Sequence, residues 1–134
     1  MSEYYYELIL DHWRYPRNKG KMDNPDAYAF DSNPLCGDEV EYAIKFDEEK
    51  KKIVDIKFNG RGCALSQASA SILSELVKGK TIEEIKNMTK EDLLRELGNP
   101  NLGPTRIKCA LLSLKTLKLA IYSYLGKKLQ EEIY

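Results

Sequence analysis

The chain has 134 residues, of which 43% are hydrophobic, and its 21 basic and 21 acidic side chains cancel. This length and composition predict one folded domain over residues 1–134 and exclude wholesale disorder. The balanced charge argues against nucleic-acid binding, which favours a basic excess. No apolar run approaches the ~20 residues of a membrane span, and the N-terminus lacks the pattern of a secretory signal. We therefore expect a cytoplasmic protein that binds neither nucleic acid nor membrane.

The first half of the chain predicts a helix followed by three strands. Residues 3–13 have a helical apolar pattern, and Pro16 ends it because the residue before a proline disfavours helix. Apolar and polar side chains then alternate in three segments, as they do in half-buried strands: 28–30, 40–46 and 54–58. The charged link between the last two segments predicts an antiparallel hairpin.

The second half predicts helices. Apolar residues recur at helical spacing over 65–76, where Gly79 marks the end, and again over 107–124, after a break at 98–104. Two capping boxes predict short helices between them: Thr81 with Glu84, and Thr89 with Asp92. This order of elements predicts an α+β fold, in which a small three-stranded antiparallel sheet packs against several helices.

The positions of the three cysteines suggest a site that carries chemistry. Cys36 lies in the predicted turn between the first two strands, two residues before Asp38, and Cys63 opens a helix. Cys109 is predicted in the first turn of the last helix. An odd number of cysteines in a reducing compartment favours metal binding or thiol chemistry over a disulfide framework. Three unrelated free thiols are the alternative.

The neighbours of these cysteines predict reactive thiolates. Cys63 and Cys109 lie at predicted helix N-termini, where free N–H groups and the helix dipole stabilise negative charge. Arg106 and Lys108 add positive charge beside Cys109. Thiolate is the form that ligates metal and attacks sulfur, so we expect all three thiols to favour it.

Four stretches carry a family resemblance. They are Asp11-His12 with Pro16-Arg17-Asn18, Asn33-Pro34-Leu35-Cys36-Gly37-Asp38, Gly60-Arg61-Gly62-Cys63-Ala64 and Ile107-Lys108-Cys109-Ala110. Together they resemble the U-type iron–sulfur cluster scaffold family, which comprises IscU, SufU and the N-terminal domain of NifU. The resemblance spans nearly the whole chain and implies the SufE/NifU-like version of the predicted α+β fold.

The resemblance implies a scaffold rather than an enzyme. Members accept sulfur from a cysteine desulfurase, assemble a labile [2Fe–2S] cluster with iron from a donor, and transfer it to apo-proteins. It places the cluster ligands at Cys36, Asp38, Cys63 and Cys109, and the persulfide acceptor at Cys109. A carboxylate is a harder ligand than a thiolate, so a site with Asp38 in it should hold a cluster less firmly.

Two departures from the family pattern leave alternatives open. Lys108 stands where IscU proteins carry a histidine, and residues 106–109 look like SufU, whose members bind zinc and relay sulfur. The chain nevertheless lacks the segment that SufU proteins insert between the second and third cysteines. A zinc-dependent sulfur-transfer protein that activates a desulfurase therefore stays an alternative, as does a module with structural zinc, since three thiolates and one carboxylate satisfy tetrahedral Zn²⁺.

Three further features carry weaker predictions. Residues 102–106 keep only part of the Leu-Pro-Pro-Val-Lys motif that a dedicated Hsp70-type chaperone recognises, so that chaperone is a doubtful partner. The single histidine, His12, is predicted to have a structural or partner-contacting role. Tyr4, Tyr5 and Tyr6 are predicted either to pack or to form a docking patch for the desulfurase.

Overall fold

The computed structural model describes residues 3–133 and has the predicted α+β order of elements. The bounds are α1 Glu3–Arg14, β1 Ala27–Asn33, β2 Asp38–Phe46, β3 Ile53–Arg61, α2 Ala64–Val77, α3 Ile82–Lys86, α4 Lys90–Glu96 and α5 Pro104–Ile133. Both predicted capping boxes are present, and they begin α3 and α4. The three strands form one antiparallel sheet in the order β1-β2-β3.

One face of the sheet is buried against α2 and α5. Val40, Tyr42 and Ile44 of β2 are fully buried there, as the alternating pattern predicts. The alternation over residues 54–58 predicts that Val54 lies on the buried face of β3, and this is wrong. Val54 is 57% exposed, and Ile53 is buried in the core instead. A register shift between β2 and β3 at Lys45/Phe46 causes this difference, because moving a strand by one residue exchanges its two faces.

The helix α2 lies at the centre of the molecule and contacts α1, α5 and the sheet. Its residues 65–74 are all buried, and Ala and Ser make up most of them. Small side chains let the neighbouring elements approach this helix closely. The N-terminus of α2, where Cys63 lies, is therefore held in place on three sides.

The first helix buries only part of the apolar face that the sequence pattern indicates, which consists of Tyr6, Leu8, Ile9, Leu10 and Trp13. Tyr5 and Ile9 are buried, whereas Tyr6, Leu10 and Trp13 are 54%, 43% and 50% exposed. A short helix that is apolar on most sides does not specify by itself which stripe faces the core. Contact with α2 decides it.

The last helix begins one turn earlier than predicted. Pro104 is its first residue, where the missing N–H of proline costs nothing because that group has no helical partner. Cys109 is consequently in the second turn of α5, where the backbone N–H groups already bond within the helix. Among the helices within residues 3–133, none is long and apolar enough to cross a membrane.

Candidate metal centre

The turn between β1 and β2 presents Cys36. The N–H groups of Cys36 and Gly37 both donate to the Asn33 carbonyl, at 3.2 and 2.8 Å, and the Leu35 N–H donates to the Asn33 side-chain oxygen at 3.1 Å. Asn33 thus organises the whole turn. Cys36 is exposed at its tip, in the position that the sequence predicted.

Asp38, the first residue of β2, is buried at 1% exposure and joins two of the cysteines. Its Oδ1 accepts the backbone N–H of Cys63 at 2.7 Å. Its Oδ2 accepts the thiols of Cys36 at 3.0 Å and Cys63 at 3.4 Å. Burial acts to raise the pKa of Asp38, but these hydrogen bonds outweigh it and hold the pKa below its usual value.

Cys63 is the N-cap residue of α2, where its Sγ accepts the Ser66 N–H at 3.5 Å. It is half-buried, so its thiol is open to one side. A groove of about 510 Å³ opens there, between α1 and residues 101–106. Tyr5, Tyr6 and Arg106 line that groove, which sequence reasoning did not foresee because its walls are far apart in the chain.

Cys109 departs from its prediction. It is only 3% exposed, with its Sγ 3.7 Å from the Sγ of Cys36 and 3.6 Å from the Thr105 carbonyl. Burial, followed by hydrogen bonds with Cys36 and Asp38, raises the pKa of Cys109 to about 12. The expectation of a thiolate there is wrong for the metal-free molecule, because desolvation outweighs the two exposed cations and the helix begins a turn earlier.

The thiol and carboxylate spacing fits a tetrahedral metal. Ligand atoms of Cys36, Asp38 and Cys109 all lie within 4.8 Å of one another, and Cys63 adjoins this group through Asp38. With Zn–S bonds of ~2.3 Å, two thiolates on one tetrahedral ion are separated by about 3.8 Å. The 3.7 Å between the Cys36 and Cys109 sulfurs is close to that value. The donor set therefore suits Zn²⁺ or iron.

His12 is not a member of this ligand group and instead joins two helices. Its Nδ1 is 2.8 Å from the Ser71 Oγ of α2, which also accepts the Arg17 backbone N–H at 2.8 Å. Burial and the nearby Arg17 charge lower the pKa of His12, against the opposing effects of Asp11 and Glu75. This contact supports the predicted structural role.

Nearly the whole chain is similar to one family of known proteins. The model of the NifU-like N-terminal domain matches residues 4–131. The chain belongs to this family. The IscU scaffold protein for iron–sulfur cluster assembly from Aquifex aeolicus is 41% identical to this NifU-like chain over 128 residues, which cover 96% of the chain and 80% of that protein.

SufU proteins are also close relatives of the NifU-like chain. The zinc-dependent sulfurtransferase SufU of Bacillus subtilis is 37% identical, and the match covers 87% of this chain and 88% of that protein. Among solved structures, the FiSufU protein of Fervidobacterium islandicum AW-1 superposes with a TM-score of 0.73 at 34% identity, over 90% of this chain and 96% of that one. The family and the SufE/NifU-like fold predicted from the sequence are thereby confirmed.

Proposed function

We propose that this protein is a scaffold for iron–sulfur cluster assembly, and that the whole chain acts as one scaffold domain. The observation that carries the proposal is the convergence of Cys36, Asp38 and Cys109, with Cys63 beside them, at a spacing suited to metal. The IscU relative named a scaffold covers nearly all of the chain, which supports the same conclusion.

The four side chains have distinct parts in this proposal. Cys36, Cys63 and Cys109 supply thiolates, the usual ligands of iron–sulfur clusters, and Asp38 supplies a fourth, harder ligand through its carboxylate. Because the carboxylate binds such iron less firmly than a thiolate would, a [2Fe–2S] cluster assembled here is labile and can be passed to an apo-protein. The protein is a carrier and not a conventional enzyme.

Sulfur enters as a persulfide from a cysteine desulfurase. A thiolate of the scaffold attacks the terminal sulfur of the desulfurase persulfide, forms a new S–S bond and releases the desulfurase thiolate. Cys109 stays our proposed acceptor on the family resemblance, although its burial outweighs the positive charge of the adjacent Arg106 and Lys108. Because Cys109 is buried and Cys36 is exposed, the competing assignment is Cys36. Mass spectrometry of the sulfurated protein locates the extra sulfur. If the Cys109→Ser variant accepts sulfur at the wild-type rate, the assignment to Cys109 is wrong.

Cluster assembly is tested under anaerobic conditions. Metal-free protein is incubated with a cysteine desulfurase, cysteine, ferrous iron and dithiothreitol as reductant, and bound iron and acid-labile sulfide are then measured. We expect near-stoichiometric iron and sulfide in equal amounts. Cys63→Ser should lose most of both, whereas Asp31→Asn, which changes a carboxylate of the neighbouring strand outside the thiol group, should retain them.

The second candidate function is zinc-dependent sulfur transfer that activates a desulfurase. The named SufU relative and Lys108 favour it, and the donor set accepts Zn²⁺ equally well. No bound sulfide in the assembly assay, together with faster desulfurase turnover in the presence of the zinc-loaded protein, would replace the scaffold proposal with this one. If the zinc is purely structural, the protein should neither bind sulfide nor stimulate the desulfurase.

The partners follow from the proposed reaction. A cysteine desulfurase supplies sulfur, an iron donor supplies the metal, and apo-proteins receive the cluster. Residues 102–106 are exposed or half-buried at the start of α5, but they keep too little of the chaperone motif to propose an Hsp70-type partner. A cytoplasmic location stays an expectation from the sequence.

A further inference from the structure

Gly62, the residue before Cys63, faces the Asp38 carboxylate at close range. Its φ is +136°, a conformation that favours glycine. A Cβ at position 62 would lie 2.8 Å from both the Cα and the Cγ of Asp38, and nearer still to Oδ1. Real Cβ atoms do not approach carbon this closely. A side chain at position 62 therefore cannot coexist with Asp38 in its present position.

The space left by Gly62 is occupied by one particular oxygen of Asp38. Oδ1 lies there and accepts the Cys63 backbone N–H at 2.7 Å, whereas Oδ2 faces the Cys36 and Cys63 thiols at 3.0 and 3.4 Å. The two oxygens of this carboxylate thus have different surroundings. One is engaged by backbone and the other is directed at the sulfur atoms.

We propose that Gly62 is a positioning residue for the metal centre. By carrying no side chain it lets Oδ1 dock on the Cys63 N–H, and this docking presents Oδ2 as the single oxygen available to a metal. Asp38 is then a one-oxygen ligand with a fixed direction. The inference rests on the proposed function only in that the site binds metal, and it does not depend on cluster assembly.

A second glycine in the same segment provides a matched comparison. A Cβ at Gly60 would also be too close to its neighbour, but that neighbour is the Glu39 backbone carbonyl, with the Gln67 side chain 3.2 Å away. Alanine at either position presses on the backbone of β2, at Glu39 or at Asp38. Only alanine at position 62 pushes on the carboxylate. The two substitutions therefore separate a loss of fold stability from a misplaced ligand.

The test is a double-mutant cycle on zinc affinity. Zinc is titrated against a chromophoric chelator with the wild type, Gly62→Ala, Asp38→Ala and the double variant. We expect Gly62→Ala to weaken zinc binding at least tenfold when Asp38 is present. In the Asp38→Ala background it should weaken binding less than threefold, because the carboxylate that it displaces is already gone. Equal factors in both backgrounds would overturn the proposal.

Two further measurements guard against a merely structural effect. Gly60→Ala should lower the melting temperature of the metal-free protein while changing zinc affinity less than threefold. A loss of zinc affinity equal to that of Gly62→Ala contradicts the proposal.

The second measurement is an infrared difference spectrum of the wild-type protein, zinc-loaded minus metal-free, which does not depend on the folding of any variant. One-oxygen ligation separates the symmetric and asymmetric carboxylate stretches widely, and a narrow separation, as in two-oxygen ligation, would overturn the assignment. If the cluster assay fails while these results hold, the scaffold proposal alone is lost.

Discussion

At the scale of single residues, the three thiols differ far more in the folded molecule than their sequence motifs suggest. Cys36 is exposed, Cys63 is half-buried and Cys109 is buried, although all three were predicted to favour thiolate. The difference arises because desolvation depends on what packs over a side chain, and helix position and charged neighbours in sequence do not report it. The thiols should therefore react at different rates.

Alkylation of metal-free protein measures this difference. With iodoacetamide at pH 8, Cys36 should be modified first and Cys109 last, because Cys109 is 3% exposed and its pKa is raised to about 12. Peptide mapping by mass spectrometry gives the rate at each site. In 6 M guanidinium chloride the three rates should converge. Labelling of Cys109 as fast as Cys36 in the folded protein would contradict the burial described here.

Replacement of Asp38, the proposed carboxylate ligand, tests the cause proposed for cluster lability. Asp38→Cys should hold a cluster longer than the wild type and transfer it more slowly to an apo-ferredoxin, because a fourth thiolate binds iron more firmly. Asp38→Ala is the control, since it removes the carboxylate without adding a thiol and should not prolong retention. Transfer from Asp38→Cys at the wild-type rate would show that lability has another origin.

At the scale of elements, the contact between α1 and α2 combines apolar packing with a hydrogen bond between a histidine and a serine. His12 of α1 lies 2.8 Å from the Ser71 Oγ of α2, in a half-buried position near Arg17. Burial and Arg17 lower the pKa of His12, so the folded state disfavours the protonated ring. In the unfolded chain a histidine takes up its proton near pH ~6.5.

This difference predicts a loss of stability as the pH falls. Above the pKa that His12 has in the unfolded chain, its ring is neutral in both states and the free energy of unfolding is not reduced. Between the unfolded and the lower folded pKa, only the unfolded chain binds the proton, so the free energy of unfolding decreases. The melting temperature of the metal-free wild type should fall more between pH 7.5 and 5.5 than that of His12→Gln. An equal fall in both proteins would contradict this role of His12.

At the scale of the whole molecule, the candidate ligands come from segments that only the complete fold brings together. The β1–β2 turn, the start of α2 and the second turn of α5 each contribute a cysteine. A metal that binds these ligands in the folded state but not in the unfolded chain stabilises the fold by linkage. The buried core consists mainly of apolar side chains of the sheet and the helices, and Cys109 is the one candidate ligand among its buried members.

Zinc should therefore raise the melting temperature without being required for folding. Free zinc at 100 times its Kd contributes about 2.7 kcal/mol, which corresponds to an increase of about 10 °C for a chain of this size. Scanning calorimetry with and without zinc measures the shift, and a chelator should reverse it. Cys36→Ser should show a much smaller shift. An unchanged melting temperature in the wild type would exclude a site assembled from these segments.

Local patterns in the sequence determined the order and type of the elements. The alternation in β2, the capping boxes at Thr81 and Thr89, and the cysteine motifs depend on residues close together in the chain, and all of them could be predicted. The family was recognisable for the same reason, because the motifs around Cys36 and Cys63 are short and specific.

Tertiary contacts decided the features that depend on residues far apart. Local patterns could not predict four features: the inward face of α1, the exposure of Val54, the burial of Cys109 and the fit of Gly62 against Asp38. Each depends on which surface packs over a residue, and many helix faces and strand registers satisfy the same local preferences. The sequence by itself determined which groups could form the site, and packing determined how those groups are oriented, protonated and exposed.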